Sequence, residues 1–312
     1  MSRKRRSKNE GPLFGPLVFN AYKPVGMTSS DVVRHFKYHL PKGFGKIGHF
    51  GTLDPFAEGV LLIAIGQAPR FNDHVHEKYP KTYLATGLLG VESPTGDFTC
   101  EESDLKTHSV KEFTREELTI IINGFVGKYL QCPAVFSATK HEGKSLYEWA
   151  REGVIIEKPP VERFIHSIEL VELDGEKVVI RAEVSSGTYI RVLFDDIAKK
   201  LETRGTLREL VRESIGGANI DNALGKEQWP VRDDGFDVYG SSLSIDKFLE
   251  FPAHTLDSVQ ESKFRNGMVL DVELSDGFYW VHSESQLIGF GEVCDNQLRV
   301  KVGLFAELFK KN

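Results

Sequence analysis

A single acidic residue, Asp54, lies in a stretch of sequence whose composition is unusual for a simple turn. The stretch runs from Gly45 to Ile65 and reads GKIGHFGTLDPFAEGVLLIAI. Pro55 fixes its own φ angle and favours an extended conformation for Asp54, while the neighbouring glycines permit backbone geometries closed to other residues. The apolar run VLLIAI that follows is typical of a strand buried on both faces. A carboxylate held at the mouth of a central strand can act as a nucleophile or as a base.

Three further segments carry polar residues at recognisable spacings. They are KPVGMTS from Lys23, SATK from Ser137 with LYEWAR from Leu146, and GTYIR from Gly187. Together with GHFGTLDPFAEGVL, and in this order, they resemble the motifs of the TruB family of tRNA pseudouridine synthases, whose members isomerise uridine 55 in the T loop. The resemblance extends over residues 16 to 215 and implies the same activity here, by base flipping and by carboxylate-assisted cleavage and re-formation of the glycosidic bond.

The resemblance also implies a catalytic set of Asp54, Tyr83 and Arg191. Asp54 would supply the ionised carboxylate at the sugar, as nucleophile or as base. Arg191 would hold this carboxylate ionised and oriented through two parallel hydrogen bonds, which a lysine could not reproduce. Tyr83 would stack on the extruded base. The reaction requires no metal and no organic cofactor, so we expect none.

A second set of residues would bind the substrate. The resemblance implies that Tyr83 and Leu210 sandwich the uracil, that Tyr189 positions the nucleotide, and that His49 occupies the space left by the flipped base. Lys23 and Lys140 are candidates for phosphate or structural contacts. One departure from the family pattern is Val211, which replaces the first arginine of an LRR segment and puts one contact near the pocket in doubt.

Three other functions fit parts of the same pattern. A glycoside hydrolase also cleaves at an anomeric carbon but needs a second carboxylate, for which Glu58 is the nearest candidate. A tRNA-binding folding chaperone would use the site only as a pocket, which the intact set of Asp54, Tyr83 and Arg191 argues against. A guide-RNA-dependent rRNA pseudouridine synthase is related, but the chain resembles the stand-alone bacterial type, so we expect no guide RNA and a monomer that binds the T arm of tRNA.

Composition places the chain among ordinary globular proteins. It has 312 residues, of which 40% are hydrophobic and 27% charged. No apolar run approaches the length of about 18 residues that spans a membrane, and the N-terminus lacks the apolar core of a signal peptide. The three widely spaced cysteines indicate neither a disulfide framework nor a zinc site. We therefore expect a cytoplasmic protein.

The net charge of −6 at first argues against an RNA partner. Its distribution matters more than its sum. Residues 231–312 carry 8 Lys and Arg against 14 Asp and Glu, whereas residues 1–230 carry 31 of each. RNA binding by the first part must therefore depend on a local basic patch, and the acidic C-terminal part should contribute little RNA affinity.

Patterns of apolar and turn residues predict an α+β fold. The short C-terminal strands indicate a small β-barrel. The resemblance to the TruB family implies a mixed, largely antiparallel central sheet flanked by helices (the pseudouridine synthase fold), and the segment from Phe264 to Gly267 resembles part of a PUA-like module. The predicted boundaries are a disordered basic arm over 1–12, the catalytic domain over 13–235, a connector over 236–252 and the PUA-like domain over 253–312. Residues 42–53 should form a loop, 90–111 a surface excursion, and Thr188 the cap of a helix. We also expect Thr28 or Ser29 to cap a helix, Thr114 to begin another with a capping box, residues 81–87 to form a strand, and a hairpin to turn at Asp174 and Gly175. A fragment ending near Glu250 should fold alone.

Overall fold

A computed structural model describes residues 16–40, 43–137, 139–232, 235–284 and 286–304. The predicted arm, Lys42 and the last eight residues therefore lie outside the described part. Seven α-helices are found in the described ranges: α1 Ser29–His39, α2 Asn72–Lys78, α3 Arg115–Asn123, α4 Leu146–Arg151, α5 Ile190–Lys200, α6 Ile245–Phe248 and α7 Ser258–Arg265. None of these helices is long and apolar enough to cross a bilayer.

The described strands fall into a large sheet, a smaller C-terminal sheet and two short hairpins. They are β1 Leu17–Lys23, β2 Lys46–Phe50, β3 Glu58–Gly66, β4 Lys81–Leu89, β5 Val91–Glu92, β6 Lys106–Thr107, β7 Gly127–Gln131, β8 Lys140–His141, β9 Lys144–Ser145, β10 Val161–Asp174, β11 Lys177–Val184, β12 Gly205–Ile215, β13 Ala218–Asn219, β14 Leu243–Ser244, β15 Ala253–Thr255, β16 Leu270–Asp271, β17 Gly277–His282, β18 Leu287–Cys294 and β19 Gln297–Gly303.

The large sheet has ten strands, ordered β14-β1-β3-β12-β4-β11-β10-β7, with β2 paired to β3 and β13 to β12. All of its pairings are antiparallel except that of β12 with β3. Seven consecutive residues of β3, from Gly59 to Ile65, are buried. The mixed, largely antiparallel sheet and the doubly buried strand after Asp54 are thus confirmed.

Local signals placed several helix ends correctly. Thr28 begins α1 and Thr114 begins α3, each with a capping box that closes on the third residue of the helix. The apolar residues of α5, including Leu193, Phe194 and Ile197, are buried against the sheet together with residues of α3 and β10. This packing presents the first turn of α5 to the loop that carries Asp54.

Three expectations about loops were wrong. The segment predicted as a loop over 42–53 contains β2, which pairs with β3 along its whole length. The excursion over 90–111 is not confined to the surface, since Ser93 and Asp97 are buried within it. Thr188 does not cap α5: the N-cap is Tyr189, whose side chain makes no capping bond, and the Thr188 hydroxyl instead donates to the Ser185 carbonyl oxygen at 2.9 Å.

The C-terminal part forms a five-stranded sheet ordered β15-β17-β18-β19-β16, consistent with the predicted PUA-like domain. Helix α7 covers one face through Phe264, which is fully buried among the apolar residues of the sheet. The predicted connector over 236–252 is not a free linker. Its strand β14 pairs with β1, and Ile245 and Leu249 are fully buried.

An aromatic cluster joins the C-terminal sheet to the catalytic domain. The ring of Phe71 lies 5.0 Å from that of Trp280 and 5.3 Å from that of Phe290, and the ring of His74 lies 4.8 Å from that of Phe278. The Trp280 indole donates to the Leu249 carbonyl oxygen at 2.6 Å. The two parts therefore share one hydrophobic core, which argues against independent folding of a fragment ending near Glu250.

Candidate active site

Asp54 and Arg191 meet at the junction between the β3 loop and helix α5. The Nε–H of Arg191 donates to Oδ2 of Asp54 at 2.9 Å. The exposed fraction of the arginine side chain is 5%, whereas that of the aspartate is 34%. A buried guanidinium therefore orients a carboxylate that remains accessible from the cavity beside it.

The remaining donors of Arg191 go elsewhere, so the expected pair of parallel hydrogen bonds to Asp54 is not formed. Its Nη1 group donates to the Thr95 carbonyl oxygen, and its Nη2 group donates to that of Phe136 at 3.0 Å. These two carbonyl groups belong to separate segments, which fix the plane of the guanidinium. The orientation of Asp54 thus depends on three parts of the chain.

A second carboxylate, that of Asp97, also lies near the Nε atom of Arg191. Its Oδ2 atom is 3.8 Å from Nε, and its exposed fraction is 4%. Gly96 permits this approach: it adopts φ +76°, and a Cβ atom there would lie 3.2 Å from the Cβ of Arg191. Sequence reasoning missed Thr95 and Asp97 because Thr-Gly-Asp is an ordinary turn signal.

A cavity of about 220 Å³ opens beside the Asp54 carboxylate. Five residues predicted from the sequence line it together: Asp54, Tyr83, Tyr189, Arg191 and Leu210. Tyr83 on β4 and Leu210 on β12 project from the same face of two adjacent strands, since Tyr83 pairs with Arg212 and Ala85 with Leu210. The cavity is therefore walled by an aromatic ring and an aliphatic side chain next to an accessible carboxylate.

Lys23 is placed away from any surface that could meet a phosphate. It is fully buried, and its ammonium group donates to the carbonyl oxygens of Met27 at 2.6 Å, Pro24 at 3.0 Å and Pro55 at 3.4 Å. Burial, together with the charge of Arg212, lowers its pKa to about 8. The three carbonyl acceptors match the three donors of the ammonium group, so the role of Lys23 is structural.

The same motif fixes the Asp54 loop at a second point. The Ser29 hydroxyl accepts a hydrogen bond from Leu53 N–H at 2.9 Å and lies 3.2 Å from the Leu53 carbonyl oxygen. Lys23 binds the carbonyl on the other side of Asp54, that of Pro55. The KPVGMTS segment therefore clamps the backbone on both sides of the carboxylate.

His49 and Lys140 do not line the cavity. His49 lies on β2, paired with Ile63, and its Nδ1 atom is buried without a hydrogen-bond partner among the described residues. Burial lowers the pKa of His49, and the charges of Arg212 and His76 lower it further. Lys140 is exposed on the short β8–β9 hairpin. A role for either residue in RNA binding stays a prediction.

Arg212, the arginine that follows Val211, makes a set of buried contacts. It is fully buried on β12, and its Nε–H donates to the Val60 carbonyl oxygen at 2.7 Å. Its Nη2 group donates to the Gly51 carbonyl oxygen at 3.0 Å. The arginine that this chain retains therefore anchors the loop before Asp54, while the described contacts assign no such role to residue 211.

The second carboxylate that a glycoside hydrolase would need is not available in the cavity. Oε2 of Glu58 accepts a hydrogen bond from the Tyr22 hydroxyl at 2.6 Å, and Glu58 does not line the cavity. Burial and this bond raise the pKa of Tyr22 to about 12. Within the described ranges, moreover, no cluster of His, Cys, Asp and Glu side chains has the arrangement of a metal site.

The cavity also has a basic wall that the sequence analysis did not identify. His76 on α2, Lys81 on β4 and Arg212 on β12 line it beside Gly51 of the loop that carries Asp54. Lys81 had been predicted only as the first residue of a strand, because a lysine at a strand end is an ordinary surface feature. Its exposed fraction is only 4%, which the linear sequence gave no means of detecting.

Comparison with known proteins identifies the family of this chain. The family described as TruB family pseudouridylate synthase (N terminal domain) matches residues 37–190. A tRNA pseudouridine synthase B of Caldanaerobacter subterraneus subsp. tengcongensis is 35% identical over 254 residues, which are 81% of this chain and 85% of the relative. The chain belongs to the TruB family. A second member of the family, the tRNA pseudouridine synthase B of Francisella philomiragia, is 34% identical over 97% of this chain and 98% of its own length.

Solved structures share the fold at lower sequence identity. The chain resembles a subunit of an H/ACA RNP bound to a substrate RNA containing 2′-deoxyuridine, with a TM-score of 0.66, 20% identity, and coverage of 92% of this chain and 84% of that one. It resembles a chain of a Cbf5-Nop10-Gar1 complex with the same TM-score, 21% identity, and coverage of 96% and 91%. These likenesses establish the pseudouridine synthase fold of this TruB family member over nearly its whole length.

Proposed function

We propose that this TruB family member converts uridine 55 in the T loop of tRNA to pseudouridine as a monomer, without metal, organic cofactor or guide RNA. The observation that carries the proposal is the accessible Asp54 carboxylate, held by Arg191 at the rim of a cavity walled by Tyr83 and Leu210. Full-length relatives at 34–35% identity are named tRNA pseudouridine synthase B, which supports tRNA as the substrate.

The proposed reaction needs one flipped base and one carboxylate. The C1′–N1 bond breaks, the uracil turns within the cavity, the C1′–C5 bond forms, and the proton lost from C5 is balanced by a proton gained at N1. Asp54 acts at the sugar, as nucleophile or as base. The cavity volume of about 220 Å³ lies below the range of about 300–1,000 Å³ typical for whole drug-sized ligands, which suits a single extruded base.

The direct test is the release of tritium from a tRNA transcript labelled at C5 of uridine. We expect release of one tritium per tRNA without added metal or guide RNA, and none from a transcript with cytidine at position 55. Release that requires a guide RNA would remove the stand-alone activity. Free uracil as the product would instead indicate a hydrolase.

Tyr83 allows the stacking and the hydroxyl group to be separated. Tyr83→Phe keeps the ring, and Tyr83→Leu keeps only part of the bulk. If stacking is the main contribution, Phe should bind tRNA normally, whereas Leu should lose about 1–3 kcal/mol of binding free energy. If the hydroxyl also moves the C5 proton, Phe should release tritium more slowly despite normal binding. Wild-type rates for both variants would show that Tyr83 is only a core residue.

A further inference from the structure

Three basic side chains converge on one point beside the loop that carries Asp54. A Cβ atom built on Gly51 would lie 3.4 Å from Cε of Lys81, 3.5 Å from Nη1 of Arg212 and 3.9 Å from Cε1 of His76. Gly51 adopts φ +88° and carries no side chain, so this point stays open. The same three residues line the cavity that holds Asp54.

The three basic side chains make no ion pair in the part of the chain that the structure describes, although the Asp54 carboxylate lines the same cavity. None of the ion pairs among the described residues involves Lys81, His76 or Arg212. The one acidic side chain acting on His76 is Asp73, which is exposed on the same helix. Buried charges are ordinarily paired. Lys81 and Arg212 are buried, His76 is partly buried, and none has a carboxylate partner in the described ranges, so a bound anion would stabilise their charged forms.

Lys81 differs from the structural lysine at position 23 in how its ammonium group is satisfied. Lys23 has three carbonyl acceptors for three donors. Lys81 donates to the Ser186 hydroxyl and, at the long distance of 3.5 Å, to the Tyr79 carbonyl oxygen. Its coordination is thus incomplete in the described structure, which leaves capacity for a further acceptor in the cavity.

The titration of the cluster agrees with this geometry. Burial and the charge of Arg212 lower the pKa of Lys81 to about 7. Burial also lowers the pKa of His76, as do the charges of Lys81 and Arg212, against an opposing effect of Asp73. A bound dianion or monoanion would raise both pKa values, because it would favour the charged forms.

We propose that Lys81, His76 and Arg212 form a subsite for one backbone phosphate of the RNA strand next to the flipped nucleotide. That the ligand is an RNA phosphate rests on the proposed function. That the subsite binds an anion is inferred from the three basic side chains alone. Arg212 is anchored to the Gly51 and Val60 carbonyl oxygens and supplies fixed charge, whereas Lys81 supplies the donor. Phosphate contacts position an RNA without reading its sequence, so the subsite would set the register of the strand over Asp54.

The test is a methylphosphonate scan of a T-arm stem-loop, in which one backbone charge at a time is removed. Affinities are measured in the Asp54→Asn background, so that the RNA is not converted during the measurement. In protein that retains Lys81, one neutral linkage near the target uridine should weaken RNA binding about tenfold or more. In Lys81→Met, the same linkage should weaken binding less than about twofold. Lys81→Met should also lower the slope of log affinity against log salt by about 0.7–0.9.

Two further variants and a control accompany the scan. Lys81→Arg should restore sensitivity to the same linkage, and His76→Leu should reduce it, which provides a second readout if Lys81→Met does not fold. Lys177→Met is the matched control. Val184, at one end of β11, pairs with Lys81, and Lys177 lies at the other end of the same strand. Lys177 is therefore about 23 Å from Lys81 along the strand. Its replacement should leave the scan unchanged.

Outcomes that overturn the subsite are distinct from those that overturn the proposed function. The subsite is wrong if every linkage has the same effect in wild-type and Lys81→Met protein. If neither protein binds the stem-loop, the proposed function fails and inorganic phosphate becomes the deciding probe. Line broadening of its ³¹P resonance by the wild type but not by Lys81→Met would still support the subsite, and equal broadening would refute it.

Discussion

Asp54→Asn should abolish tritium release from C5-labelled tRNA while leaving tRNA affinity within about a factor of ten. Asparagine keeps the size of the side chain and an oxygen that can accept the Nε–H of Arg191, which lies 2.9 Å from Oδ2 in the structure. It removes the negative charge that either role of the carboxylate at the sugar requires. The expected loss therefore falls on turnover and not on binding.

The comparison that isolates this effect uses single-turnover rates and equilibrium binding on the same protein samples. Glu58→Gln provides a matched control, because Glu58 is the nearby carboxylate that binds Tyr22 and does not line the cavity. That variant should retain turnover within about threefold, since it exchanges one acceptor for another. Residual turnover by Asp54→Asn near the wild-type rate would exclude Asp54 as the reacting carboxylate.

Truncation after Glu250 should yield a protein that unfolds at a much lower temperature or aggregates. The fragment would lose Trp280 and Phe290, both at most 1% exposed, and would uncover Phe71 on the catalytic side. Removing a single buried aromatic side chain typically costs about 3–5 kcal/mol, whereas the whole free energy of unfolding of a domain is about 5–15 kcal/mol. The loss of the cluster therefore removes a large part of the total.

Point variants of the full chain distinguish the effect of lost aromatic packing on stability from the effect of shortening the chain. Trp280→Ala in the full chain should lower the melting temperature strongly, while Met268→Ala, at a position 52% exposed on the same module, should change the free energy of unfolding by less than about 0.5 kcal/mol. Cooperative unfolding of the fragment within a few degrees of the full chain would show that the shared core is dispensable. Loss of tritium release would be expected as well, because Val75 of the same core lies next to His76 of the cavity.

The acidic C-terminal part, which contains the five-stranded sheet, thus has a structural role that its net charge did not indicate. The net charge of residues 231–312 led to the expectation of little RNA affinity, and nothing in the structure contradicts that. The expectation of independent folding was based on where the site residues lie in the sequence, and the shared core argues against it. Trp280 and Phe290 are ordinary strand residues in the sequence, and only their packing on Phe71 shows what they bury.

The sequence by itself determined those features that depend on neighbouring residues. The strand after Asp54, the helix start at Thr28 or Ser29, the capping box at Thr114, and the hairpin about Asp174 and Gly175 were predicted correctly. Each follows from side-chain periodicity or from hydrogen bonds within a few residues. Motif order also predicted that Asp54, Tyr83, Tyr189, Arg191 and Leu210 would line one cavity, which the structure contains.

The tertiary structure decided what each polar group binds. Arg191 could not be assigned its partners at Thr95 and Phe136 from sequence, because backbone carbonyl groups are present at every position and carry no residue-specific signal. For the same reason, two lysines that look alike in sequence differ entirely: Lys23 is saturated by carbonyl groups, whereas Lys81 faces a cavity with unneutralised charge. Burial and the supply of acceptors are properties of the packed chain, and they alone distinguish a structural cation from one that can bind a ligand.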